Sequence, residues 1–456
     1  MKPILKIFVL SLIGLSGLGF SYSQYTISST KEAEIYTQIP QEKVYLNHTG
    51  NILFSGEYLY YSFYCINTQT SKLSYFSEIG YVALINEDRE YVLEQKLPLK
   101  NGLGQGEIFV TTEIPSGNYK LLAYTQWMKN NGLAQVFKTD LVIINPYKND
   151  QSQILANSDQ SFPTSPIQTK DLETKSSTFL IKLEKKTFGP REKVVAEIIN
   201  YQGRLGHGNY SISVQKIDEL SHISPMNAVD FADQYADVLK SSIKGVGESI
   251  FLPEQDGELI YGKAFSKNPS QPFKNGTVVL SFPGNDFSLK YAKTDERGVF
   301  STYLQENLRD SEIVIQALGE PGVNIQILNQ PQLKLDNISF SNWRLNMDYL
   351  PEVRKRSIYN QIENQFYASK PDSVVVRSYT NIMLGGIPTV IKLDDYTRFP
   401  TLKETILENV LQAGIRRNES GQEYIRILQQ SGRPNDVYNS FPALVLIDGV
   451  FIPNHQ

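Results

Sequence analysis

The sequence is poor in the residues from which reactive sites are built. Its 456 residues include one cysteine and four histidines. A single cysteine, Cys65, excludes an intramolecular disulfide. With no histidine neighbour and no C-x-x-C partner, it reads as a small buried hydrophobe rather than a reactive thiol. His48, His207, His222 and His455 stand far apart, with no carboxylate or thiol at ligand spacing, so they read as surface or loop residues and no metal site is expected. There is no G-x-S-x-G, no H-E-x-x-H and no phosphate loop. With 44 Lys and Arg against 48 Asp and Glu, the net charge is −4, and no cationic excess is available to neutralise nucleic-acid phosphates. After Phe20 no apolar run is long enough to cross a membrane as a helix. The expectation is a chain with no catalytic residue, no cofactor and no metal. The acid pairs Asp218-Glu219 and Asp394-Asp395 keep a two-carboxylate hydrolase as an alternative, although adjacent acids on a strand point to opposite faces.

What is present begins with an apolar leader. Lys2 and Lys6 precede Ile7–Phe20, and Ser21-Tyr22-Ser23 supplies small residues at the usual cleavage positions, so Met1–Ser23 is expected to be a secretory signal peptide. An exported chain without disulfides must hold its modules by burial alone. The 27 tyrosines outnumber the 22 phenylalanines, which suits sheets whose rings are half buried with the phenol left wet.

The organising stretch is Glu42–Cys65, EKVYLNHTGNILFSGEYLYYSFYC. Tyr45, Phe54, Tyr58, Tyr60 and Phe63 favour strands and Gly56-Glu57 punctuates them, so it reads as the opening hairpin of a β-sandwich. A weaker copy returns at Ile181–Ile198, where Phe188, Arg191, Glu192 and Val194 repeat the grammar. Within 42–146, Tyr81–Asn86 reads as a strand. Asn101–Gly106 is glycine-rich, but Glu107–Thr111 after it is strand-like, so it reads as a turn and not a phosphate cradle. Pro115–Tyr119 turns the chain into Lys120–Gln126, and Thr139–Asn145 reads as the last strand. Residues 147–177 are polar, with Pro163 and Pro166, and read as a linker. Residues 178–252 read as a second sandwich, with a turn at Gly206–Gly208, an alternating strand at Tyr210–Ile217 and a short helix at Phe231–Lys240. Residues 253–328 read as a third, its hairpins punctuated by Asn275-Gly276 and Asp295–Gly298; those acids lack the ligand spacing of a calcium loop. Residues 329–372 read as a helical connector. In its helix, Leu350–Tyr367, Pro351 sits in the first turn and Ile358, Ile362 and Phe366 recur at helical spacing; Arg354-Lys355-Arg356 reads as a solvated face, with attraction to a membrane surface as the lesser reading. Residues 373–456 read as a small α+β unit. It has a turn from Leu393, a helix from about Thr401 to Leu411 opened by a Thr401/Glu404 capping box, a strand after it that ends at Arg417, strands at Tyr424–Leu428 and Ala443–Ile447, and a turn at Asp448-Gly449.

Three motif sets carry resemblances. Glu42–Leu46, Phe54–Glu57 and Ser116–Met128 resemble the macroglobulin-type sandwich of alpha-2-macroglobulin-like proteins, especially the form at the start of large exported proteins of Bacteroidetes-type bacteria. The C-G-E-Q-type thioester motif used for protease trapping is missing, so the resemblance implies fold and not inhibition. Thr294–Phe300, T-D-x-x-G-x-F, resembles the carboxypeptidase regulatory-like, transthyretin-type sandwich. Leu444–Val450, L-V-L-I-D-G-V, with the preceding helix resembles the plug domain of TonB-dependent outer-membrane receptors, here a partial one without the barrel that follows in that family.

Together these give a mainly β fold: tandem antiparallel β-sandwich domains, macroglobulin-like and transthyretin-like, followed by a small α+β plug-like domain. The function expected is that of a non-enzymatic interaction or scaffold protein, exported to the periplasm or associated with the outer membrane. Its expected partner is an outer-membrane or periplasmic protein, met through sheet edges. The alternative is the N-terminal part of a TonB-dependent receptor engaged in substrate uptake.

Overall fold

The computed structural model describes residues 24–155, most of 179–366, 390–427 and 443–453. The expected signal peptide, His207, His222, His455 and Glu219 lie outside the described residues. The chain divides into two compact units. One gathers Thr26–Gln255 and Leu333–Asp372; the other gathers Met1–Tyr25, Asp256–Gln332 and Ser373–Gln456.

The first unit is built on a two-sheet sandwich with strands β1 (Glu42–His48), β2 (Ile52–Phe54), β3 (Tyr58–Asn67), β4 (Lys72–Leu73), β5 (Ile79–Ile85), β6 (Tyr91–Pro98), β7 (Leu103–Phe109), β8 (Gly117–Tyr124) and β9 (Phe137–Ile144). One sheet runs β2-β9-β8-β5-β6; in the other, β3 is central, with β1 on one side and β7 and β4 on the other. The opening hairpin is real: β1 and β3 pair antiparallel from Glu42↔Asn67 to His48↔Tyr61. Between them, however, Ile52–Phe54 leaves for the opposite sheet and pairs parallel with β9. Strand β3 shows why the stretch folds this way. Leu59, Tyr61, Phe63 and Cys65 are buried, while Tyr58, Tyr60, Ser62 and Tyr64 turn outward, the two-residue period of a sheet with one face on the core. Asn101 and Gly102 adopt positive φ of 54° and 76°, so the turn is these two residues, and Leu103–Gly106, expected to belong to it, are already strand β7.

Within 178–252, Phe179–Leu183 and Ala196–Asn200 pair as an antiparallel ribbon, and Ser249–Ile250 is a further, two-residue strand. Tyr210–Val214, the described part of the expected alternating strand, is not a strand. Helix α2 (Ala228–Gln234), capped by the Asn227 side chain, seats Phe231 against Tyr45 and Phe137 at ring-centroid distances of 5.1 and 6.3 Å. It completes the first sandwich's core.

In the second unit, β10 (Glu258–Phe265) lies between β13 (Val299–Leu304) and β15 (Asn324–Leu328), and β11 (Thr277–Phe282) lies between β12 (Ser288–Lys293) and β14 (Val314–Ala317). Ala264, Val278, Leu280, Phe282, Ala292 and Phe300 form the core between these sheets. The Thr294–Phe300 motif is its corner. The Asp295 carboxylate accepts from the Arg297 and Val299 amides at 2.8 Å each, the Thr294 hydroxyl donates to Phe273 O at 2.5 Å, and Gly298 takes φ +76°. The acid is thus consumed by the turn. Helix α4 (Leu402–Asn409) is capped by Thr401, whose hydroxyl accepts from the Glu404 amide. A hairpin joins Leu446–Ile447 to Val450–Phe451 around Asp448 and Gly449, both at positive φ, and the Phe451 amide donates to Ser281 Oγ at 3.1 Å. No helix among the described residues is long and apolar enough to cross a membrane.

Candidate interaction site at the edges of the first sandwich

The Phe54–Glu57 turn is where sequence motif and tertiary contact coincide. Ser55 N and Gly56 N donate to Ile144 O and Val110 O, tying the turn to both sheets. Gly56 has φ +91°, and a Cβ there would lie 2.8 Å from Asn360 Nδ2, so glycine is required both by conformation and by the close approach of a helix. That helix is α3 (Leu350–Gln365). Its seated face is not the apolar set. Ile358, Ile362 and Phe366 are 50%, 50% and 56% exposed, whereas Val353, Ser357 and Asn360 are buried. Arg356 corrects the expectation of a solvated basic triplet. Arg354 and Lys355 are exposed, but Arg356 donates Nε to Glu57 Oε1 at 2.8 Å, Nη2 to Glu57 Oε2 at 2.8 Å, Nη1 to Asp218 Oδ2 at 3.0 Å and Nη2 to Ile52 O at 2.9 Å. Its guanidinium also lies 4.6 Å from the Phe54 ring centroid. Burial works against the charge, but the hydrogen bonds and attraction of Glu57 and Asp218 outweigh it and raise the pKa.

This clasp closes a sheet edge. Val142 N donates to Asn51 O and Ser55 N to Ile144 O, so the odd residues of β2 face β9 and the even residues face away. The outward groups are Ile52 O and Phe54 N, the pair that one residue of an added parallel strand would fill. Here Arg356 donates to Ile52 O while Phe54 N donates to Glu57 Oε2 at 2.9 Å. The ion pair stands in for a strand residue. Asn360 and Asn364 extend the cover by donating to Ser55 O and Gly56 O at 2.8 Å each.

The other two motif segments meet across the sandwich. Glu42 is 1% exposed, and its carboxylate accepts from the Ser74, Ser77 and Thr125 hydroxyls at 2.5, 2.7 and 2.8 Å. Trp127 Nε1 donates to Pro40 O at 3.1 Å. The E-K-V-Y-L and Y-T-x-W-M segments therefore pair through Glu42 and Thr125. Next to Glu42, burial and the nearby carboxylate push the Cys65 thiol up, as befits a packed, unreactive cysteine. His48 is the second correction. It ends β1 at 1% exposure with Nδ1 3.0 Å from Gly50 O, and burial holds its pKa down at about 4.

The remaining edges differ. Strand β1 is covered by the α2 segment, where Lys43 donates to Tyr235 O and Asp237 O and Tyr45 donates to Met226 O at 3.2 Å. On the opposite flank, β6 and β7 are the outer strands of their sheets. Just beyond β6, Lys100 and Leu103 exchange backbone hydrogen bonds at 2.8 and 3.1 Å, and farther along β7 the contact is a neutral amide, Gln95 Nε2 donating to Glu107 O at 2.9 Å. Beside it, Phe109 and Tyr58 rings lie 4.8 Å apart and Tyr58 stacks with Tyr60 at 5.8 Å, with Phe109 and Tyr60 43% and 44% exposed. Displacing a single neutral hydrogen bond costs about 1 kcal/mol; stripping one partner from a buried ion pair costs about 3–5 kcal/mol. At Glu107 the cover of β7 is thus a neutral amide, where that of β2 is an ion pair.

The candidate acids do not converge. Asp218 is held by Arg356, and Asp394 pairs with Arg398 on the surface. Among the described residues no three His, Cys, Asp or Glu side chains gather as a metal site would require.

No family model and no curated protein matches the sequence. Among solved structures, the chain is similar to the native conformation of E. coli alpha-2-macroglobulin, with TM-score 0.20, 10% identity, and coverage of 67% of this chain and 15% of that one. A Salmonella alpha-2-macroglobulin reacted with methylamine gives 0.19, 10%, 69% and 16%. A tetra-tandem repeat from the extending region of a large adhesion protein gives 0.17, 10%, 64% and 75%. Similarity at these TM-scores carries no argument, and the mainly β, antiparallel sandwich fold rests on the strand pairing itself.

Proposed function

We propose that the chain is a non-enzymatic interaction protein of the bacterial envelope, a scaffold acting through protein contacts on the periplasmic side of the outer membrane. The observation that supports this reading is the unequal treatment of the first sandwich's edges. Helix α3 and the α2 segment cover β2 and β1 with the chain's own groups, while β7 remains an edge strand with aromatic rings beside it. Exposed edges offer main-chain groups for strand addition, and aromatics are enriched where proteins meet. The test is a detergent pull-down of the tagged full chain from envelope membranes. A stoichiometric outer-membrane or periplasmic protein is expected, and its absence would end this reading.

A second reading, the N-terminal part of a TonB-dependent receptor, draws on the capped helix α4 and on the Leu446–Phe451 hairpin, which holds the L-I-D-G-V end of the Leu444–Val450 motif. Sequencing the gene beyond the Gln456 codon tests it: a continuing frame with alternating strands favours the receptor, and an immediate stop codon removes it.

A further inference from the structure

The open flank carries enough chemistry to specify what it binds. Val110 N donates to Glu57 O, Gly56 N to Val110 O, and Cys65 N to Gly102 O. The even-numbered residues of this segment therefore bond to β3, and the backbone of Gln105, Glu107 and Phe109 faces outward. The side chains of these three residues are exposed on the sheet's outer face. Of the inner-face positions, Ile108 is buried and the other two are glycines under side chains: a Cβ at Gly106 would lie 2.4 Å from the Tyr61 hydroxyl, and one at Gly104 2.6 Å from Leu97 Cδ1. Gln95 holds the place of an incoming strand. Its Nε2 donates to Glu107 O while its Oε1 accepts from the Tyr61 hydroxyl at 2.9 Å, so a partner amide could replace it and leave Tyr61 the same acceptor.

We propose that β7 takes an extended peptide as an added strand, with a basic side chain beside Glu107 and an aromatic or apolar side chain two positions away beside Phe109. This rests on the interaction reading above and adds the edge and the partner's pattern. Charge complementarity sets the first position, since Glu107 is exposed on the strand and would face a neighbouring side chain across the pair. The second position lies against the Phe109–Tyr58–Tyr60 rings, where an aromatic side chain finds partners at stacking distance.

The test uses fluorescein-labelled ten-residue peptides of Thr and Val carrying Lys-Thr-Phe, in both orders, and matched peptides with Glu in place of Lys. Binding to the full chain is read by fluorescence anisotropy. The Lys peptide is expected to bind about two- to fivefold more tightly than the Glu peptide, the range of one cross-strand charge pair. Glu107→Lys is expected to reverse that order. Gln105→Pro removes an outward N–H without touching the β3 ladder, a substitution that edge strands tolerate. It is expected to weaken binding at least tenfold with unchanged circular dichroism and melting. If neither peptide binds, or if both variants bind as the wild type does, the proposal is overturned. An envelope partner captured while no peptide binds would remove this edge and keep the interaction reading; peptide binding with no envelope partner would remove that reading and keep the edge.

Discussion

Replacing Arg356 with methionine keeps most of the side chain's length and removes four hydrogen bonds and a charge. Glu57 and Asp218 are left without their shared cation at 19% and 14% side-chain exposure, Ile52 O loses its donor, and Phe54 loses the cation over its ring. Unpairing a fully buried ion pair costs about 3–5 kcal/mol. Some water reaches these carboxylates, and Phe54 N still donates to Glu57, so the cost expected is about 3 kcal/mol. For a unit of this size that lowers the melting temperature by roughly 6–12 °C. Urea unfolding gives the free energy directly, and hydrogen exchange localises it: amides of Ile52–Gly56 and of α3 should exchange faster, while those of β5 and β8 should not. Glu57→Gln in the Arg356→Met background should cost less than in the wild type, because the charge it removes is already unpaired. A loss of under about 0.5 kcal/mol, the range of an ordinary surface substitution, with unchanged exchange at Ile52–Gly56 would refute the clasp.

Three other expectations follow from buried polar groups. Thr125→Val removes one of three hydroxyls from the Glu42 carboxylate and should cost about 1.5–3 kcal/mol in urea unfolding, the range for a hydrogen bond to a charged group. His48 has a folded-state pKa of about 4, below the ordinary 6.5. Between those values the unfolded chain binds a proton that the folded chain refuses, so its contribution to stability is complete above pH 6.5 and is lost as pH falls toward 4. Relative to His48→Gln, the wild type should lose roughly 3 kcal/mol over that interval, and parallel pH profiles would contradict it. Cys65 should resist a maleimide in the native protein and react fully in denaturant; prompt native labelling would show that it is not packed as described.

Much of the fold was legible because it is local. The β-forming residues Tyr58, Tyr60 and Phe63 mark a strand, Asn101-Gly102 marks a turn, and Thr294–Gly298 marks a corner whose acid is spent on backbone amides. Helix α1 (Thr30–Gln38) has its signal in Ser29 and Glu32: Ser29 Oγ accepts from the Glu32 amide, and the Glu32 carboxylate accepts from the Ser28 amide. Other features were not readable from periodicity. Nothing in Ile52–Phe54 says that it joins the opposite sheet. Arg356 sits in a basic triplet, and its partners lie 299 and 138 residues away, so charge counting assigned it to solvent. Glu42 and His48 look solvated because their burial depends on strands that arrive later in the chain. The apolar spacing in α3 misdirected the reading for a related reason: the helix seats on carbonyl groups of a sheet edge, which select Arg and Asn rather than Ile and Phe.

The proposed meeting of chain and partner through the β7 edge can be read directly by crosslinking. A photocrosslinking residue at Gln105, with a control at exposed Arg354 on α3, tests this in the full chain within envelope membranes. One defined envelope protein is expected to be joined through position 105, not through position 354, and to be lost when Glu107→Lys is added. No adduct at position 105, or the same adducts from both positions, would contradict it.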